Sequence, residues 1–369
     1  MENFRFFVKV VLFLVFPMVL FGFPLWVLVF SGEMVPLSER INRQQSSTDE
    51  FLLTKSYYPF AQDLRRETFL YVRPQVTTLG NSRVYQIRQE FFNDDVTFYN
   101  TADFGVGIGH AFSEFWPLLE GGKEPEVVMV GLEQSLFIDS DEIKPPPESP
   151  HILYIIRRVY EDYRQGKFTI HGLLQAREHD PQSLGIQALI TRSGTRKDGS
   201  ERYGSVIENP HDLEYWDYAF KGTIERTEGG THPLYRYAQD LAPSFLEELI
   251  AFLDEAQRRE IHVVAFLPPY APTVLEHMHA QGDSYAYLAK IMPAIQKEFQ
   301  SRGFSVFDFT DATTLNAPDE EFLDGNHGSE KTYARMMVTM AQRDPVLRGY
   351  VDLDRLRRAL ESKNNLEVF

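Results

Sequence analysis

Short apolar runs alternate with longer amphipathic stretches along most of this chain. "QVTTLG" (75–80), "DVTFYN" (95–100), "EVVMVGL" (126–132), "IHVVAFLP" (261–268) and "FSVFDF" (304–309) read as strands, rich in β-branched and aromatic residues. The third is apolar almost throughout, the pattern of a strand covered on both faces. "SRVYQIRQEFF", "HAFSEFWPLLEG", "APSFLEELIAFLDEAQRR" and "YAYLAKIMPAIQKEFQSR" carry helical periodicity, and a last helix follows His327. Strands alternating with helices of this length predict an α/β fold with a mostly parallel sheet and helices on both faces.

The rhythm breaks in three places. From Val10 to Phe30, "VVLFLVFPMVLFGFPLWVLVF" runs without a charged residue, the length of about 20 residues that a helix needs to cross a bilayer. Arg5 and Lys9 precede it, and Glu33 and Glu39 follow, so the positive-inside rule leaves the short N-terminus in the cytoplasm and the rest outside. The apolar run is too long for a cleaved signal peptide and lacks a small-residue end. Residues 32–70 are weakly periodic and read as a stalk. Between about 140 and 240, "KPPPESP" and "RSGTRKDGSERYGSVIENP" are turn-rich, and the region reads as an insertion with a helix near 151–165. The expected division is therefore 1–31 cytoplasmic tip and transmembrane anchor, 32–70 stalk, 71–345 catalytic-type domain with its insertion, and 346–369 helical tail.

Composition narrows the classes. A net charge of −16 argues against nucleic acid as a partner, since phosphate backbones select basic surfaces. No cysteine is present, which excludes disulfides, thiolate metal sites and a cysteine nucleophile. His277 and His279 stand two apart, on different faces of a helix, so they do not form a metal pair. No metal or other cofactor is expected. "GVGIGH" departs from the dinucleotide-binding glycine pattern.

In an open parallel sheet, reactive groups gather at the carboxyl ends of the strands. Ser82 follows the first strand, "FYNTADFGVGIGH" the second and "GLEQSLF" the third, while Asp324 and His327 follow the last. The fold then returns the late pair to the edge that carries Ser82. A serine needs an adjacent base to act as nucleophile, and an imidazole base needs a carboxylate to fix its tautomer. One turn of backbone closes the Asp324–His327 spacing into that contact. At a helix N-terminus, Ser82 also presents backbone N–H groups to a developing oxyanion. The structural alternative makes Ser82 an N-cap, as Ser329 is for the last helix.

"GNSRVY", "YNTADFGVGIG", "VVMVGLEQSLF" and "FLDGNHGSEKTYARMM" resemble, in order, the sequence blocks of the SGNH (GDSL-like) hydrolase superfamily, above all its membrane-anchored bacterial branch. The resemblance covers about 75–135 and 260–345. It implies a flavodoxin-like three-layer α/β/α fold with Ser82 as nucleophile, His327 as base and Asp324 as its orienting partner. It further implies an esterase or O-acyltransferase that modifies a polysaccharide or a teichoic-acid-like acceptor beside a multi-spanning membrane O-acyltransferase. The third block departs from the pattern, because Glu133 stands where the family carries its oxyanion asparagine. A carboxylate there repels an oxyanion, so the hole falls to Gln134 if the loop is turned, or otherwise to the backbone N–H groups of Ser82 and of Gly105 or Gly107. Arg83, Glu133, Tyr270 and Asn326 are the candidate substrate contacts; Arg83 fits a salt bridge beneath the loop equally well, and "FLPPYAP" around Tyr270 also reads as a rigid turn. Glu133 also favours a second reading, a non-catalytic subunit that organises a membrane complex for polymer modification or export.

Overall fold

The computed structural model describes residues 2–369 apart from 55, 58–60, 104–107, 121, 123, 139–150, 209–211 and 213–214, with part of the side chains of 2–19 and those of 61–62, 108–111 and 206 also outside that set. The chain divides into two compact units. One comprises Met1–Ala61, Pro146–Lys197 and Arg202–Val206, and the other Gln62–Pro145, Asp198–Glu201 and Ile207–Phe369.

The larger unit is built on a five-stranded, all-parallel sheet, as the alternating pattern predicts. Its strands are β1 (Val76–Leu79), β2 (Phe98–Asn100), β3 (Val127–Gly131), β4 (His262–Leu267) and β5 (Ser305–Asp308), in the order β2-β1-β3-β4-β5. Register is set by Thr78 beside Asn100 and Met129, Val130 beside Ala265, and Ala265 beside Val306. Every residue of β3 is buried. A strand covered on both faces has no polar face to present, which explains its unbroken apolar run. Helices Pro243–Arg258 and Leu288–Ser301 pack on β4 and β5. The tail folds back, and Leu347 and Leu356 are buried in the same core.

One expected element is absent. "SRVYQIRQEFF" forms two 3-10 turns, Ser82–Val84 and Gln89–Phe91, instead of an α-helix. Its apolar residues Val84, Ile87 and Phe91 are buried all the same. The side chain of Asn100 holds the intervening backbone, donating to the carbonyls of Val84 (2.7 Å) and Ile87 (3.0 Å). Those carbonyls are thereby diverted from a helical ladder.

The smaller unit contains the N-terminal helix, Glu2–Phe30. Its last turns are core: Val27 and Leu28 are buried with Tyr57, Ile155, Val159, Phe168, Leu173, Ile186 and Leu189. Tyr160 donates to the Leu20 carbonyl at 3.3 Å, and the Phe23 ring lies 5.0 Å from that of Tyr163. Among the described residues no helix is long and apolar enough to cross a membrane, so the transmembrane expectation finds no support in the fold. Part of the uncharged run packs against protein instead. The expected stalk is also folded in part, with a helix at Leu37–Ser46. Arg40 is buried there and donates to the carbonyls of Gly32 (2.7 Å), Val35 (2.8 Å) and Thr54 (3.1 Å).

Candidate functional site

The strand order reverses between β1 and β3, and the crevice at their carboxyl ends is where open α/β sheets place ligands. Ser82 leaves β1 there on the 3-10 turn Ser82–Val84. The turn sits close on the end of β3, since a Cβ at Gly131 would lie 2.3 Å from Val84 Cγ1. Only glycine permits that approach.

Asp324 and His327 arrive at the same place from the other end of the chain, in the loop before helix Glu330–Arg343, which Ser329 caps as expected. Ser82 Oγ lies 2.8 Å from His327 Nε2, and His327 Nδ1 lies 2.6 Å from Asp324 Oδ2. The second oxygen of Asp324 accepts the backbone N–H groups of Asn326 (2.9 Å) and His327 (2.8 Å). One buried carboxylate thus fixes both the ring and the turn that carries it. Ser82 and His327 remain partly exposed.

The electrostatics follow from that geometry. Desolvation pulls the His327 pKa down, but the charge of Asp324 and its hydrogen bond outweigh it, leaving His327 above the ordinary value. For Asp324, burial pushes the pKa up, while His327 and the backbone donors hold the carboxyl below its ordinary value. The pair therefore favours an anionic carboxylate beside a readily protonated imidazole.

Beneath Ser82 lies a buried polar network. Arg83, 1 % exposed, places Nη1 2.6 Å from Glu133 Oε1 and 2.8 Å from Gln134 Oε1. Its Nη2 donates to the carbonyls of Pro268 (2.8 Å) and Pro269 (2.6 Å). The guanidinium lies 4.5 Å from the centre of the Tyr270 ring, and the Tyr333 hydroxyl donates to the Arg83 carbonyl. Glu133 Oε2 accepts from Asn81 Nδ2 at 2.9 Å.

No family model, curated protein or solved structure matches this chain. The functional reading therefore rests on the residues and their arrangement.

Several expected roles change with these contacts. Gln134 uses both amide hydrogens on the Pro268 carbonyl (2.7 Å) and Thr310 Oγ1 (3.0 Å), so it is no oxyanion donor. Glu133 faces a buried cation, and the repulsion expected from its carboxylate is neutralised by Arg83. Arg83 and Tyr270 are buried in this network, which removes them from direct substrate contact. Asn326 is buried as well, and its backbone N–H serves Asp324. Gly105 and Gly107 lie outside the described residues. The Ser82 N–H donates to no acceptor among the described residues and is available to an oxyanion.

Sequence reasoning passed over Asn81, whose side chain accepts the Arg83 N–H at 3.0 Å. Its signal was present, for Asn is a preferred cap just ahead of a turn. Tyr215 and Asp217, in the turn-rich region, also escaped. Tyr215 donates to the Leu323 carbonyl at 2.7 Å, and Asp217 accepts from the Gly325 N–H at 3.1 Å. They brace the loop on either side of Asp324, and nothing in their local pattern announces it.

A cleft of about 450 Å³ runs beside β5, lined by residues that include Met292, Phe304, Phe307 and Arg343. Ser82, His327 and Asp324 are not among its lining, and it carries no comparable acid–base chemistry.

Proposed function

We propose that this chain is an SGNH-like serine esterase or O-acyltransferase, of flavodoxin-like three-layer architecture, that handles an ester-linked acyl group on a cell-envelope or secreted polysaccharide. The observation that carries the reading is the unbroken relay from Ser82 Oγ through His327 to Asp324, at the carboxyl ends of parallel strands in the order 2-1-3-4-5.

The chemistry follows from the contacts. His327 Nε2 takes the Ser82 proton as Oγ bonds to the acyl carbonyl carbon, and Asp324 stabilises the imidazolium. The Ser82 N–H donates to the oxyanion. Collapse breaks the bond to the leaving alcohol, which receives the proton from His327, and leaves an acyl-serine. A sugar hydroxyl or water then gives its proton to His327 and attacks the acyl carbon, and Ser82 regains its hydrogen on release. The solvent-facing edge of His327 admits either acceptor.

The uncharged run Val10–Phe30, with Arg5 and Lys9 before it, is the sequence feature behind a proposed attachment to the membrane, with the N-terminus on the cytoplasmic side and Ser82 outside. In that setting a multi-spanning O-acyltransferase is the proposed donor of the acyl group. The test is labelling with a fluorophosphonate, which reacts with activated serines. The wild-type chain is expected to label at Ser82 and the Ser82→Ala chain not to label. An unlabelled wild-type protein sinks the enzymatic reading and leaves the organising-subunit reading in its place.

A further inference from the structure

Glu133 stands at the end of β3, the buried centre of the sheet, and its two oxygens grip two different residues. Oε1 holds Arg83 Nη1 at 2.6 Å and Oε2 holds Asn81 Nδ2 at 2.9 Å. Between those residues lies Ser82. Asn81 closes the arrangement, since its Oδ1 accepts the Arg83 N–H at 3.0 Å. The turn is completed by Val84 N–H to the Asn81 carbonyl (3.1 Å) and Tyr85 N–H to the Ser82 carbonyl (3.2 Å).

We propose that Glu133 is the positioning residue of the nucleophile: one buried carboxylate clamps the residues before and after Ser82 and so holds its Oγ on His327 Nε2. This rests on the reading of Ser82 as nucleophile. It reverses the role that the position suggests in sequence, where a carboxylate near an oxyanion is a fault.

The physical case has two parts. A 3-10 turn of three residues has few internal hydrogen bonds and is a weak support by itself. The carboxylate supplies an external one, and its backbone is anchored because Leu132 N–H donates to the Phe266 carbonyl at 2.8 Å. The charge is also specific. A neutral amide offers one oxygen and one NH₂ group, and its nitrogen would face a donor at either Asn81 Nδ2 or Arg83 Nη1. One of the two grips must then open.

The experiment uses the full-length chain in detergent, with a fluorophosphonate probe and a small chromogenic acetate ester as substrate. Glu133→Gln and Asn81→Asp are each expected to lower kcat and the labelling rate by about 10²-fold with KM for the ester unchanged, the effect of a reacting atom displaced by about 1 Å. Asn81→Asp fails because it sets two carboxylates against each other. The double variant exchanges donor and acceptor across the same gap, re-forms all three contacts, and is expected to recover most of the lost rate. Thermal melts identify any variant that does not fold. If Glu133→Gln is unfolded, Asn81→Ser, at a half-buried position outside the ion pair, gives the same kcat-only loss. Wild-type rates in the folded single variants, or a double variant slower than both singles, overturn the clamp. A wild-type chain without labelling overturns the nucleophile reading and the clamp with it. A labelled wild type with insensitive variants overturns the clamp alone.

Discussion

Replacing Asp324 by asparagine tests the relay through the tautomer of His327. The two oxygens of Asp324 do different work: Oδ2 meets His327 Nδ1, while Oδ1 accepts two backbone N–H groups. An asparagine amide must choose. With its oxygen on the two N–H groups, its NH₂ faces Nδ1, the ring proton moves to Nε2, and Nε2 then donates to Ser82 Oγ when it should accept. With the amide reversed, the tautomer is correct but two buried N–H groups face a donor. At about 1–3 kcal/mol for each unsatisfied group, the productive state lies about 2–6 kcal/mol up. At 1.36 kcal/mol per tenfold, this lowers the rate by about 30-fold to about 10⁴-fold. The assay is the fluorophosphonate labelling rate of Asp324→Asn against wild type from about pH 5 to about pH 9, the span over which imidazole titrates. In the wild type, His327 must be neutral to accept the proton. Its raised pKa places the rising limb above the ordinary histidine value of about 6.5. In Asp324→Asn the raising influence is gone and desolvation remains, so the limb moves to lower pH while the plateau falls. A plateau within about threefold of wild type, or a limb that does not move, refutes the reasoning, since about 1.36 kcal/mol accompanies each unit of pKa.

Further outcomes follow from the same contacts. Arg83→Met leaves the Glu133 carboxylate buried without its cation and is expected to lower unfolding free energy by about 3–5 kcal/mol in denaturant titration. Arg83→Met with Glu133→Leu recovers much of that loss, because an apolar pair leaves no uncompensated charge. Gly131→Ala drives a methyl against Val84, 2.3 Å from Cγ1, and is expected to destabilise by about 1–3 kcal/mol and to slow Ser82 labelling, whereas Gly122→Ala, which meets only the Leu119 carbonyl at 3.8 Å, does neither. Asp324, whose folded pKa is lowered, contributes stability above its unfolded value of about 3.9 that is lost as pH falls through the folded value. Acid melts of wild type should therefore be steeper in that window than those of Asp324→Asn. Since the chain has no cysteine, Phe13→Cys carries a single environment-sensitive label, and its quenching by brominated lipid in vesicles is expected if the helix enters the bilayer. An unquenched label removes the anchor without touching the site.

How much of this was legible in the sequence differs from element to element. The five strands were, because each is a short run rich in β-branched or aromatic residues bounded by polar or turn residues, and in β3 burial on both faces leaves an unbroken apolar mark. Ser82, Asp324 and His327 were legible as chemical types in the order that an α/β chain brings to one sheet edge. The turn that bears Ser82 was not. Its apolar spacing satisfies a helix, but the side chain of Asn100, from the adjacent strand, takes the carbonyls that a helix would have used. The N-terminal run read as one uniform span, yet its end is shared with the core of the smaller unit through Val27 and Leu28, since lipid and protein interiors select the same apolar residues.

The sequence by itself determined the α/β fold class and the side-chain types of the Ser82, His327 and Asp324 constellation, because periodicity and side-chain chemistry are local properties. Only the tertiary structure decided what Glu133 and Gln134 do. A carboxylate has one meaning beside an oxyanion and the opposite one beside a buried arginine, and that neighbour, fifty positions earlier in the chain, is supplied by the packing of β1 against β3.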